Sequence, residues 1–238
     1  MNRQGNTYTV IYSVILVLVV GVVLSLVYQA LRPTQEENIA NDTKKQILAA
    51  ARIYPKDGES VSSLYDSHII DSYIVNSEGK RIDSSVEAFA VNVAAQVKLA
   101  ADRRELPVFE CKTSAGTKYI LPVYGAGLWG PIWGYVAFDD NGDSIYGAYF
   151  AHQGETPGLG AEIEKPAFSS QFDGKKIFNS DGEFSPIRIV KAGQAPAGVE
   201  YVNAVSGGTI TSQGVQKMLD NSLSPYSAFL KNLKNKGL

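Results

Sequence analysis

From Asn6 to Leu31 the chain carries no charged side chain. In hydrocarbon, every backbone N–H and C=O must find its partner within the protein, and for one lone segment only the α-helix achieves this. As a helix rising ~1.5 Å per residue, Tyr8–Leu31 would reach roughly 36 Å, enough to cross an apolar layer of about 30 Å with some tilt. Tyr8 and Tyr12 at one end and Tyr28 at the other suit the two interfaces. A cleaved signal peptide would have a shorter apolar region, about 7–15 residues, and a small-residue cleavage site. Tyr28-Gln29-Ala30 offers none. The segment therefore reads as an uncleaved single-pass anchor. Its orientation does not follow from charge. Arg3 and the amino terminus stand on one side; Arg32, Lys44 and Lys45 stand on the other, mixed with Glu36, Glu37 and Asp42.

Beyond the anchor, composition mainly excludes. The net charge is −2 and no basic stripe runs along any element, which argues against a nucleic-acid partner. Cys111 is the sole cysteine, so the chain has no internal disulfide and no cysteine-rich cluster site. His68 and His152 are the only histidines and are too far apart for metal-ligand spacing, so no metal is expected.

Periodicity sets an α+β expectation: a single transmembrane helix followed by an antiparallel-sheet domain with flanking helices. Ile39, Ile47, Leu48 and Ala51 repeat at helical spacing within Glu36–Arg52, which Tyr54-Pro55 closes. Val61, Leu64, Tyr65, His68 and Ile69 mark a second helix, on which His68 packs. Tyr73-Ile74-Val75 reads as a strand entering the Asn76–Gly79 turn, and Phe89, Val91, Val93 and Val97 as a strand or partly buried segment. Two hairpins follow, Pro107–Lys112 with Lys118–Val123 and Trp133–Phe138 with Ser144–Phe150, the second turning at Asn141-Gly142. Ile187–Lys191 is a further strand, Val215–Leu223 a helix, and Pro225 opens another through Leu233. The expected division is an anchor at 1–34, a helical and mixed part at 35–105, a ligand-binding domain at 106–223 and a C-terminal helix at 224–238. There is no internal repeat.

Three glycine-rich loops carry the chemistry. Gly125-Ala-Gly-Leu128-Trp129-Gly-Pro131 joins two strands; Gly154-Glu155-Thr156-Pro-Gly-Leu159-Gly160 follows the next hairpin; Ser206-Gly207-Gly208-Thr209-Ile-Thr211 precedes a helix. Locally each has an ordinary reading, as a connection, a turn and a helix cap. A glycine and hydroxyl loop at a helix start also offers backbone N–H donors and a positive dipole end to an anion, and glycines around large apolar side chains admit a flat ligand.

In this order, behind one N-terminal span, the motifs closely resemble the C subunit of the sodium-translocating NADH:quinone reductase, across residues 118–223. The resemblance implies FMN joined by a phosphoester to Thr209, in the Ser206-Gly207-Gly208 loop, rather than to Thr211. It implies Leu128 and Trp129 beside the isoalloxazine, Leu159 as another apolar wall, and Glu155 and Thr156 as polar contacts near the ring edge. No acid–base catalytic residue is required, because electron transfer belongs to the cofactor. Two positions depart from the family pattern: Gly208 replaces the usual alanine and Asn203 the usual aspartate. The implied function is an electron relay in a membrane complex that oxidises NADH, reduces quinone and pumps Na+. Its implied partners are the other subunits of the pump, a flavin transferase during maturation, and membrane lipid. The implied location is the bacterial inner membrane, with the soluble part on the extracytoplasmic side. Alternatives are the G subunit of an Rnf-type ferredoxin:NAD complex, which typically lacks the Leu-Trp pair, and a non-redox membrane-anchored binding module.

Overall fold

A computed structural model describes residues 5–236. Arg3 and the amino terminus, and the last two residues of the expected C-terminal segment, lie outside the described residues. The chain divides into two compact units, residues 1–43 and 44–238. Helix α1 (Asn6–Ala50) supplies the described part of the first unit and opens the second. Its apolar stretch reaches a mean hydropathy of 3.0 with none of it buried, so the helix is long and apolar enough to cross a membrane. The helix passes through Pro33 and across the residue-34 boundary drawn from composition. Arg32 and Glu36, one turn apart around the proline, pair at 2.7 Å on its exposed surface.

In the second unit, α1 ends with Gln46, Ile47, Leu48, Ala49 and Ala50 buried. Arg52 then takes the left-handed conformation that ends many helices. Helix α2 (Val61–His68), capped by Ser60, leads into β1 (Ile69–Val75). A six-stranded antiparallel sheet has the order β2-β1-β3-β4-β5-β6, with β2 at Arg81–Ile82, β3 at Leu106–Thr113, β4 at Gly116–Ala126, β5 at Pro131–Asp139 and β6 at Ile145–His152. Between β2 and β3, the segment around Phe89 and Val97 is no strand. It forms a single 3-10 turn (Ala88–Ala90) and the one-turn helix α3 (Val93–Gln96). Ala88 and Val91 are buried there, but the apolar side chains do not alternate as a ladder strand requires.

Both sheet faces are covered. Strand neighbours point to opposite sides, so Val108, Leu121 and Val136 enter one core while Phe109, Ile120 and Ala137 enter another. The second core takes Ile47, Leu48 and Ala50 of α1 with Leu64 and Tyr65 of α2. The first takes the helices that follow β6: α4 (Pro166–Ser169), α5 (Thr209–Leu223) and α6 (Ser227–Lys236). Two short strands that lie between α4 and α5, β7 (Arg188–Val190) and β8 (Tyr201–Asn203), pair in parallel. β8 and β2 are too short to leave a hydrophobic period in the sequence. Helix α5 begins at Thr209, six residues before the Val215 expected from the apolar pattern. Its first turns are threonine, serine, glutamine and glycine with the single apolar residue Ile210, which makes no apolar stripe.

Candidate functional site

The tips of three segments meet at the α5 start. The first is the β4–β5 hairpin turn, closed by the Gly127 N–H donating to Gly130 O at 2.8 Å. Helix α5 reaches it because two positions are bare. A Cβ on Gly125 would meet Met218, and a Cβ on Gly214 would collide with the carbonyl oxygen of Ala126. Glycine at both lets the helix lie against the end of β4.

The second segment, residues 153–160, follows β6 and carries Glu155. This carboxylate is only 4% exposed. Its Oε1 accepts the Trp129 N–H at 2.8 Å, and its Oε2 accepts the Thr211 hydroxyl of α5. The Glu155 N–H donates to His152 Nδ1 at 3.1 Å. Burial pushes the carboxyl pKa up, but the Thr211 hydroxyl and the backbone N–H groups of Trp129 and Leu128 outweigh it, and the net shift is below the ordinary glutamate value. The carboxylate therefore stays ionised.

The third segment is the loop ahead of α5. Gly207 has φ +71, and a side chain there would also strike Leu159. Gly208 is the N-cap and supplies no side chain to cap the helix, so the first-turn N–H groups are left to another acceptor. Thr209 is exposed, and its hydroxyl has no partner among the described residues. Thr211, two residues on, is buried and donates to Glu155.

The structure thus links the three sequence-predicted loops. Leu128 (47% exposed), Trp129 (70%) and Leu159 (43%) present apolar side chains to solvent, as does Ile210 (54%), which the sequence reading passed over. Ile210 lies between the two threonines, where one apolar residue in a polar helix start is the only available signal. Thr156 is exposed, and its carbonyl accepts from Leu159 and Ala161. Ser206 is exposed too and lines an open groove of about 490 Å³ with Lys165, Gln171 and Asn203. Asn203 closes β8, its backbone N–H donating to Gln171 Oε1 at 2.8 Å. Glu155, by contrast, turns inward. Among the described residues no cluster of His, Cys, Asp or Glu has metal-binding geometry.

The hairpin tip, following loop and helix start converge around exposed apolar groups on a fold of the flavin-binding class. Residues 127–224 match the family model of the FMN-binding domain, a span holding the second and third loops and the first from Gly127 onward. Over its whole length the chain is 32% identical to the C subunit of the Na+-translocating NADH-quinone reductase of Vibrio anguillarum, covering 98% of that protein. The crystal structure of the corresponding C subunit from Parabacteroides distasonis superposes with a TM-score of 0.77 at 45% identity, over 84% of this chain and 96% of that one. NqrC of Shewanella oneidensis superposes at 0.68 with 25% identity, over 82% and 98%. The chain belongs to the NqrC family, the C subunits of the Na+-translocating NADH-quinone reductase, and so is one component of an oxidoreductase complex.

Proposed function

We propose that the chain carries FMN in phosphoester linkage to Thr209 and relays electrons within a complex that oxidises NADH, reduces quinone and moves Na+ across the membrane. One observation carries the attachment site. Of the two candidate threonines, Thr209 has an exposed hydroxyl without a partner among the described residues, whereas that of Thr211 is buried and engaged by Glu155. The surroundings fit the cofactor's chemistry. The uncapped start of α5 offers N–H donors and a positive dipole end to a phosphate, and Gly207 and Gly208 let it approach. Leu128, Trp129, Leu159 and Ile210 supply apolar surface for a flat ring, with Thr156 and Ser206 as polar groups at its margin. FMN held there would supply the redox chemistry. The protein's part is to hold it, to shield one side from water and to leave the other open to a partner. A tether at Thr209 also prevents loss of the cofactor.

We place residues 33–238 on the extracytoplasmic side, anchored by α1 in the bacterial inner membrane among lipid and the other subunits of the complex, with attachment performed by a flavin transferase. Family resemblance supports this side; the charges flanking the anchor do not choose it. Trypsin cleavage after Lys191 and Lys217 yields one peptide holding both threonines, so fragment-ion mass spectrometry is needed. A flavin phosphate on Thr209 is expected. An adduct on Thr211, or none in protein from its native host, overturns the assignment.

A further inference from the structure

Glu155 lies where its two oxygens face different parts of the site. Oε1 holds the backbone of the hairpin turn that displays Leu128 and Trp129, and Oε2 holds Thr211, two residues along α5 from Thr209. The fit is close. A Cβ on Gly127 would lie 2.5 Å from Oε1, and one on Gly160 would lie 2.5 Å from Oε2. The side chain is buried, so its carboxylate is not an open contact for a ligand ring. His152 Nδ1 accepts the backbone N–H of Glu155 itself, which fixes the start of the loop that carries the carboxylate.

We infer that Glu155 is a positioning residue: it clasps the Leu128-Trp129 turn to the helix that bears the flavin attachment point, and so sets the apolar wall relative to the tether. The inference rests on the reading of Thr209 as the FMN site for its consequence, but the clasp itself belongs to the protein and is measurable without flavin. Ionisation matters because a carboxylate accepts on both oxygens at once, and bonds to a charged acceptor are stronger than neutral ones. Glutamine keeps one carbonyl oxygen for the turn, and its amide N–H can donate to the Thr211 hydroxyl, which rotates to accept it. Alanine removes both links.

The discriminating comparison is therefore Glu155→Ala against Glu155→Gln in the full-length, detergent-solubilised chain. Hydrogen exchange at the Leu128 and Trp129 amides, measured in a Thr209→Ala background so that flavin plays no part, should quicken about ten-fold or more with alanine, as loss of a charge-assisted bond implies. With glutamine, whose neutral carbonyl oxygen still accepts from the turn, it should quicken by clearly less than with alanine. In flavinylated protein, the midpoint potential should move with alanine and remain near the parent value with glutamine. A glutamine variant that shifts the potential as far as alanine would mean that the charge acts on the ring directly, and this overturns the positioning role. Unchanged exchange with alanine overturns the clasp. If Glu155→Ala does not accumulate, Thr211→Val frees Oε2 and should also speed exchange at the same amides; no change there counts equally against the inference. A parent protein without covalent FMN would refute the attachment reading alone, since the exchange arm stands independently.

Discussion

Thr209 and Thr211 stand two residues apart on α5, and their hydroxyls have opposite fates. At about 100° per residue the helix turns them to nearly opposite faces. Thr211 looks into the protein and donates to Glu155, a residue 56 positions earlier in the chain; Thr209 looks out with no partner among the described residues. A reagent approaching from solvent meets only one of the two hydroxyls.

Thr209→Ala should abolish covalent flavin while leaving the fold intact. Its side chain makes no hydrogen bond among the described residues and is exposed, so the stability change should fall within about 0.5 kcal/mol. In-gel flavin fluorescence and a thermal melt check both halves. A fluorescent band, or a large drop in Tm, contradicts the expectation.

Trp129→Ala should keep the attached flavin and raise its midpoint potential. The indole is 70% exposed, so its removal costs the fold little. Its loss admits water to the ring, which favours the charged reduced form. Potentiometric titration reads the shift, and an unchanged potential with unchanged turnover would make Trp129 an ordinary surface residue.

Gly214→Ala should destabilise the domain, although alanine favours helix by about 1 kcal/mol over glycine. The added methyl would press on the backbone carbonyl of Ala126, which cannot step aside as a side chain can. Overpacking of this kind typically costs about 1–3 kcal/mol. A Tm equal to or above the parent value would show that α5 can back away from β4 freely.

Acidification should loosen the Trp129 turn only well into the acid range. The Glu155 pKa is lowered on folding, so its contribution is fully present above the unfolded value of about 4.3 and is lost as pH falls through the lower folded one. Trp129 amide exchange, corrected for its intrinsic pH dependence, should hold steady from neutral pH to about 5 and quicken below about 4. Glu155→Gln should lack that acid step. A transition centred near neutrality would contradict it.

Asn235→Cys should report topology without interference from the native thiol. Cys111 is fully buried in the sheet, and burial pushes its pKa up to about 11, so it stays protonated and shielded at neutral pH. Residue 235 is exposed. A membrane-impermeant maleimide should label the variant in intact spheroplasts and leave the parent unlabelled. Labelling only after lysis would place the domain in the cytoplasm.

Much of the architecture is legible along the chain because it depends on near neighbours. The uncharged run from Asn6 to Leu31 dictates a helix by its own composition, and the two hairpins follow from alternation and from Asn141-Gly142. The three loops announce themselves by their glycines. What needed the tertiary structure is each feature whose partner is remote. α5 starts at Thr209 because residues from β4 and the 153–160 loop receive a polar helix start that has no apolar period of its own. Strand β8 exists only by pairing with β7. Glu155, read from the sequence as a ring-edge contact, turns inward because three donors from two distant segments surround it. A local pattern specifies which groups a segment can offer; long-range packing decides which remain free once the others have found their hydrogen bonds.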